Sequence, residues 1–227
     1  MDPATTLFYD VDTQCDFLLP GGKLYVPGGA RILPQLRELT QIARQQGIAI
    51  SGSVCRHFPT DAELQRNGGL YPEHCMDGTE GQKKVEETTP RQPVWIENRD
   101  YSEEEFAARL RQGREVYIEK QDVDIFVGNR SATRAFDAIL QGKEDIVVYG
   151  VVTEICVDLA LAALKDRPVR LHVPVDAIAA LSEERGKEML EKWRGWGVHL
   201  TTVAEVREEL ERKAENVKGN YKLLGTV

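Results

Sequence analysis

The apolar positions of this chain change period repeatedly, from short continuous runs that fit a buried strand to i, i+3, i+4 spacing that fits a helix. Thr6-Leu7-Phe8-Tyr9-Asp10-Val11 reads as a first strand. A helical stretch from Ile32 to Gln46 stops at Gly47, and Ile48 to Val54 gives a second strand. Val94-Trp95-Ile96 is a short third strand, Glu115 to Glu119 a fourth, Ile146 to Gly150 a fifth and Val169 to Val173 a sixth. Between them, Ser102 opens a helix with three acids in its first turn, and Ser131 to Leu140 forms another. A helix follows Thr153, one starts near Ser182, and one runs from Val203 to about Ala214 after a small strand at Val198-His199-Leu200.

Strands and helices in alternation imply a parallel sheet with helices on both faces, an α/β sandwich of three layers. Neither an internal repeat nor a linker divides the sequence, so residues 1–227 read as one domain. The stretch from Arg56 to about Pro93 carries repeated Gly and Pro and exceeds normal connection lengths, which marks it as an active-site insertion. A chain of 227 residues, 41% apolar and 29% charged, is large enough to bury its own core. The net charge of −8 argues against a nucleic-acid or anionic-membrane partner. No apolar run approaches the roughly 20 residues of a membrane span. Met1 to Thr6 lacks the basic and apolar regions of a signal peptide, and four cysteines in a chain this long read as reduced thiols. The expected location is cytoplasmic.

In an open parallel sheet, ligands bind at the carboxyl ends of the strands, near the point where strand order reverses. Asp12 follows strand one, Lys120 follows strand four and Cys156 follows strand five. With the order 3-2-1-4-5-6 those three strands are neighbours. Thr153 suits an N-cap, which makes Cys156 the third helical residue, where unpaired N–H groups and the helix dipole favour a thiolate. An ammonium beside it would stabilise that thiolate, and a carboxylate could accept and return a proton. Taken singly, Cys156 could be a small buried apolar residue, Asp12 a loop cap and Lys120 a surface lysine. Their joint placement is what points to a site.

The sequence resembles the isochorismatase-like cysteine hydrolases, and nicotinamidases most closely. Val11-Asp12-Thr13-Gln14-Cys15-Asp16-Phe17 resembles the first-strand signature V-D-x-Q-N-D-F, with Cys15 in place of Asn. Gly150 to Cys156 resembles the G-V-x-T-x-x-C nucleophile turn, and His74 to Gly81 the H-C-x-x-G-T-x-G segment. Lys120, ahead of Asp122, Asp124 and Phe126, sits where the family's strand-four lysine belongs. The resemblance implies an isochorismatase-like Rossmann-type fold and Asp12, Lys120 and Cys156 as a catalytic triad. It also implies a cis peptide between Val151 and Val152, with the N–H groups of Val152 and Cys156 holding an oxyanion. Relatives bind a divalent ion through an Asp-x-His pair and the His of the H-C segment. Here the pair reads Cys55-Arg56-His57, and Glu63 and His74 can fill the other positions. The cysteine favours zinc over iron or manganese, or marks a site that has lost its metal; His57, His74 and Cys55 simply packed in place is the other reading.

Phe17 and Tyr71, with Asp16, are expected to line a pocket for a flat ring. His172 and His199 lie on apolar strand patterns and read as structural, and Cys15 reads as packing. Asn129-Arg130-Ser131 matches a glycosylation sequon that a cytoplasmic protein would not use. Neither G-x-G-x-x-G nor G-x-x-x-x-G-K-[ST] occurs, so no nucleotide cofactor is expected. The leading expectation is hydrolysis of nicotinamide, or a similar small amide, to acid and ammonia. An N-carbamoyl substrate keeps the same chemistry. Isochorismate, a vinyl ether, requires no thiol for its hydrolysis, so Cys156 argues against it. A non-catalytic interaction protein of the same shape is the alternative from another class. Relatives commonly form homo-oligomers.

Overall fold

A computed structural model describes residues 1–113 and 115–224. Its strands are β1 (Thr6–Val11), β2 (Ala49–Cys55), β3 (Pro93–Ile96), β4 (Glu115–Lys120), β5 (Asp145–Val151), β6 (Arg170–Pro174), β7 (Ile178–Ala179) and β8 (His199–Thr201). The helices are α1 (Cys15–Leu18), α2 (Leu33–Gln46), α3 (Glu103–Leu110), α4 (Ile125–Gly128), α5 (Ala132–Leu140), α6 (Asp158–Leu164), α7 (Glu183–Gly195) and α8 (Val203–Leu224). Ser102 caps α3 as expected, its hydroxyl accepting from Glu105 N at 3.1 Å. The helix starting at Val203 continues beyond Ala214, since no proline interrupts the run.

The sheet runs β3-β4-β2-β1-β5-β6-β8 with parallel pairing throughout, and β7 adds to β5. Leaving out the edge strand β3 and the short β7, the remaining six strands follow the order 3-2-1-4-5-6. One detail differs from the expectation. The strand carrying Lys120 lies between β3 and β2, so β2 separates it from β1. The four-residue β3 begins with Pro93, which lacks an N–H donor and suits an edge.

Every residue of β1 is buried, because helices cover both faces of the sheet. On one face Phe8, Ile50 and Tyr149 pack against Leu36, Leu39 and Ala43 of α2 and Val206 and Leu210 of α8. On the other, Leu7, Ile118 and Val148 pack against Phe106, Phe136, Leu161 and Trp193 of α3, α5, α6 and α7. Two glycines admit close backbone contacts at the centre. A Cβ at Gly52 would lie 1.9 Å from the Asp10 carbonyl oxygen, and one at Gly150 2.1 Å from that of Val11.

The insertion after β2 is tied down at two places. His57 N donates to Cys75 O at 3.0 Å and Asp77 N to His57 O at 2.9 Å. Farther on, Cys15 N donates to Lys83 O at 2.8 Å and Val85 N to Thr13 O at 3.0 Å. This second closure brings Lys84 down onto β1, where its Nζ lies 2.9 Å from Asp10 Oδ2 with both side chains buried. Thr13 Oγ1 donates to Asp10 Oδ1 at 2.8 Å, and Lys84 Nζ stands 4.7 Å from the centre of the Tyr117 ring. Burial pushes the Asp10 carboxyl above the ordinary range, against the opposing pull of Lys84 and Thr13.

Removing Lys84 would leave a carboxylate without its counter-charge. Lys84→Met is expected to destabilise the fold by about 3–5 kcal/mol at neutral pH, as for other broken buried pairs. A carboxyl raised in the folded state favours folding once protonated, so the loss should shrink as pH falls toward 4. Urea unfolding at several pH values checks this; an equal loss at every pH would remove Asp10 as the cause.

Candidate active site and metal-ligating cluster

Asp12, Lys120 and Cys156 come together at the carboxyl edge of the sheet. Asp12 turns out of β1 with φ 49°, in the left-handed region, and is fully buried. Its N donates to Ser53 O at 3.1 Å, and its Oδ1 accepts from Ser53 Oγ at 2.7 Å. Oδ2 faces Lys120 Nζ at 3.0 Å as an ion pair rather than an aligned hydrogen bond. Lys120 pairs in register with Cys55 on β2 and reaches past that strand to Asp12. Its Nζ also donates to Val123 O at 2.8 Å and to Cys156 Sγ at 3.2 Å. Lysine's long stem thus closes the distance that the strand order opened.

Burial alone would deprotonate Lys120, yet Asp12, followed by Cys156 and Cys55, holds its pKa well above the ordinary value. The site therefore holds a buried ammonium facing the Asp12 side chain. Cys156 behaves differently from the sequence expectation. It lies in a single π-helical turn, Thr153–Val157, and Thr153 Oγ1 makes no hydrogen bond, so Thr153 is not a side-chain cap. Burial pushes the thiol up to about 12, with Lys120 opposing and Asp12 reinforcing. Desolvation outweighs the helix end, and the resting sulfur is a thiol. The Val151–Val152 peptide bond just ahead of this turn is cis.

Beside the triad, His57, Glu63, His74 and Cys55 converge. The two histidine rings lie 4.6 Å apart, and Glu63 Oε1 is 3.7 Å from His57 Nε2 and 3.6 Å from His74 Nε2. Cys55 Sγ falls within 4.8 Å of both imidazoles' ligand atoms. His57 Nδ1 faces Asp61 Oδ2 at 3.1 Å and His74 Nδ1 faces Pro72 O at 2.8 Å, which directs both Nε2 lone pairs inward. His57 Nε2 and Glu63 Oε2 are buried without hydrogen-bond partners. Burial, reinforced by His74, lowers His57 to about 4, and burial lowers His74 as well, so both rings are neutral at pH 7. Burial raises Glu63 to about 7 and keeps Cys55 well above an ordinary thiol. Two neutral imidazoles and a carboxylate with orphaned atoms fit a divalent ion; Cys55 can join only by losing its proton.

Phe17 packs 5.4 Å and Tyr71 6.2 Å from the His74 ring, which places both beside this cluster. Asp16 is committed elsewhere: its carboxylate accepts from Lys23 N at 2.9 Å and Cys75 N at 2.7 Å, so it braces the loop rather than facing a substrate. Asn129 is buried and donates to Ile96 O and Glu119 O, a structural role for the sequon residue. Ser53 and Gln14 were not evident as site residues. Gln14 donates to Cys55 O and Gln82 O and accepts from Cys55 N, joining β2 to the insertion. The polar run Ser51-Gly52-Ser53 inside a buried strand was the available signal for Ser53. A cavity of about 510 Å³ lined by Arg56, Lys84, Trp95 and Glu119 lies elsewhere, on the opposite face of β2 and β4, and Asp12, Lys120 and Cys156 do not line it.

Residues 7–205 match the isochorismatase domain family. The chain belongs to this family of hydrolases and is an enzyme. None of the curated proteins compared with it matches. Among solved structures, it is similar to the pyrazinamidase of Pyrococcus horikoshii in complex with zinc, at 25% identity and TM-score 0.67, covering 87% of this chain and 99% of that one. N-carbamoylsarcosine amidase from Thermoplasma acidophilum shares the fold at 22% identity and TM-score 0.65, over 88% and 96% of the two chains. Nicotinamidase from Bacillus subtilis does so at 18% and 0.65, over 87% and 99%.

The thiol's environment gives a direct expectation. Alkylation of Cys156 by iodoacetamide, followed by peptide mass spectrometry, should accelerate about tenfold per pH unit from 7 to 10 without levelling. A plateau near neutrality would mean that the thiolate is already formed in the resting enzyme.

Proposed function

We propose that this enzyme hydrolyses a small amide through a cysteine nucleophile, with nicotinamide the leading substrate. The observation that carries this reading is the buried Asp12–Lys120 pair in contact with the half-buried Cys156 thiol, beside two neutral, inward-facing imidazoles. Because the resting sulfur is protonated, Asp12 takes the thiol proton as sulfur attacks the carbonyl carbon. Lys120 holds the charge of Asp12 and of the developing thiolate. The backbone N–H groups of Val152 and Cys156, in the turn that carries the thiol, are the proposed oxyanion donors. Protonated Asp12 then gives its proton to the leaving nitrogen, the C–N bond breaks, and ammonia departs from a thioester. A water deprotonated by Asp12 attacks the thioester, releasing the acid and restoring the thiol.

His57, Glu63 and His74, with Cys55 where it ionises, would hold a divalent ion, which supplies a Lewis acid for a ring nitrogen of the substrate. The buried thiol of Cys55 gives an N-carbamoyl or other non-pyridine amide a specific claim as the second reading, since it weakens the cluster as a metal site.

Ammonia release from a panel of small amides tests the reading. Cys156→Ala should abolish it with the fold intact, and Asp12→Asn or Lys120→Ala should each cost on the order of 10²-fold or more. Full activity in Cys156→Ala would end the mechanism. Ser53→Ala, which frees one oxygen of Asp12, should lower kcat less than these and shift its pH profile.

Zinc should copurify with the protein, be lost in His74→Ala, and bind less tightly as pH drops, because protons compete for its ligands. Cys55→Asp should accept manganese more readily. Metal well below one equivalent, with hydrolysis indifferent to added zinc, would show a triad that works without an ion.

A further inference from the structure

We propose a second divalent-metal site, suited to zinc, on His172 and His199 at the outer edge of the sheet. The two residues are register partners on β6 and β8, so their side chains leave the same face. Their ring centres lie 5.5 Å apart with planes at 68°. Two imidazoles bound tetrahedrally to one zinc, with bonds of about 2 Å, place their centres about 5 Å apart. The ring spacing is thus compatible with a ligand pair.

The state of His172 supplies an independent observation. Its Nε2 lies 2.8 Å from Asp145 Oδ1, and the same carboxylate receives Arg170 through Nε at 2.8 Å and Nη2 at 2.6 Å. A carboxylate held by a guanidinium is ionised and needs a donor, so Nε2 carries the proton and Nδ1 the lone pair. That Nδ1 is buried and has no hydrogen-bond partner, in a residue only 7% exposed. Carboxylate, imidazole and vacant lone pair form the arrangement that orients metal-binding histidines. Both rings line a cavity of about 420 Å³, together with Glu209, Trp196, Lys165 and Arg170. The two cations there are met by Asp166 at 2.6 Å and by Asp145, while one oxygen of Glu209 takes the Met1 ammonium at 2.6 Å. Water would complete the coordination. The site is separate from the cluster at His57 and His74 and does not rest on amide hydrolysis.

The test is a zinc titration of the full chain, read by calorimetry and by the ¹⁵N shifts of the histidine side chains. Wild type should bind one equivalent that His199→Gln lacks, with the shift of His172 Nδ1 moving in wild type alone. His199→Gln should keep its hydrolytic rate. Asp145→Asn should weaken the same equivalent by about 10–100-fold. Identical stoichiometry and affinity in wild type and His199→Gln, with His172 Nδ1 unmoved, would overturn the proposal.

Discussion

A fully buried ammonium requires partners for its charge and its donors, and the carboxyl edge of this sheet is arranged around that of Lys120. Its three partners, Asp12, Val123 O and Cys156, come from the end of β1, the loop after β4 and the turn after β5. The left-handed turn at Asp12 is held by Ser53 through both backbone and side chain, so β2 also answers to this charge. Without the lysine, Asp12 would be an uncompensated buried carboxylate.

The same environment sets the protonation of the sulfur. An exposed thiol at a helix end would ionise before substrate arrives. Here desolvation keeps the Cys156 proton in place against the opposing pull of the Lys120 ammonium.

Much of this was legible in the sequence because it depends on local pattern. Strand and helix periods located the sheet, and Asp12, Lys120 and Cys156 stand at strand ends where period gives way to turn. What was not legible depends on lateral order and on long-range closure. Nothing in Val94-Trp95-Ile96 says that it pairs with β4 rather than β2. The capping role expected of Thr153 failed because the turn is π-helical and buried. The Asp10–Lys84 pair joins residues far apart in sequence through a loop with no period, and Asp16, placed beside Phe17 by its motif, proved to brace Cys75 N.

The side chain of Gln14 gives the insertion a mechanical character. It bonds Cys55 on both backbone atoms and Gln82 on a third, while the neighbouring Cys15 N and Thr13 O hold Lys83 and Val85. The segment is thereby fastened to the residues just after β1 at Gln82, Lys83 and Val85, while Gln14 also grips the end of β2 from which it departs. Within it, residues 63–71 bond mainly to one another, through Tyr71 N to Glu63 O, Gln65 N to Tyr71 O and Gly69 N to Leu64 O. The inner loop is thus closed largely on itself and still sets Glu63 against the two imidazoles, so its own hydrogen bonds fix where that carboxyl stands.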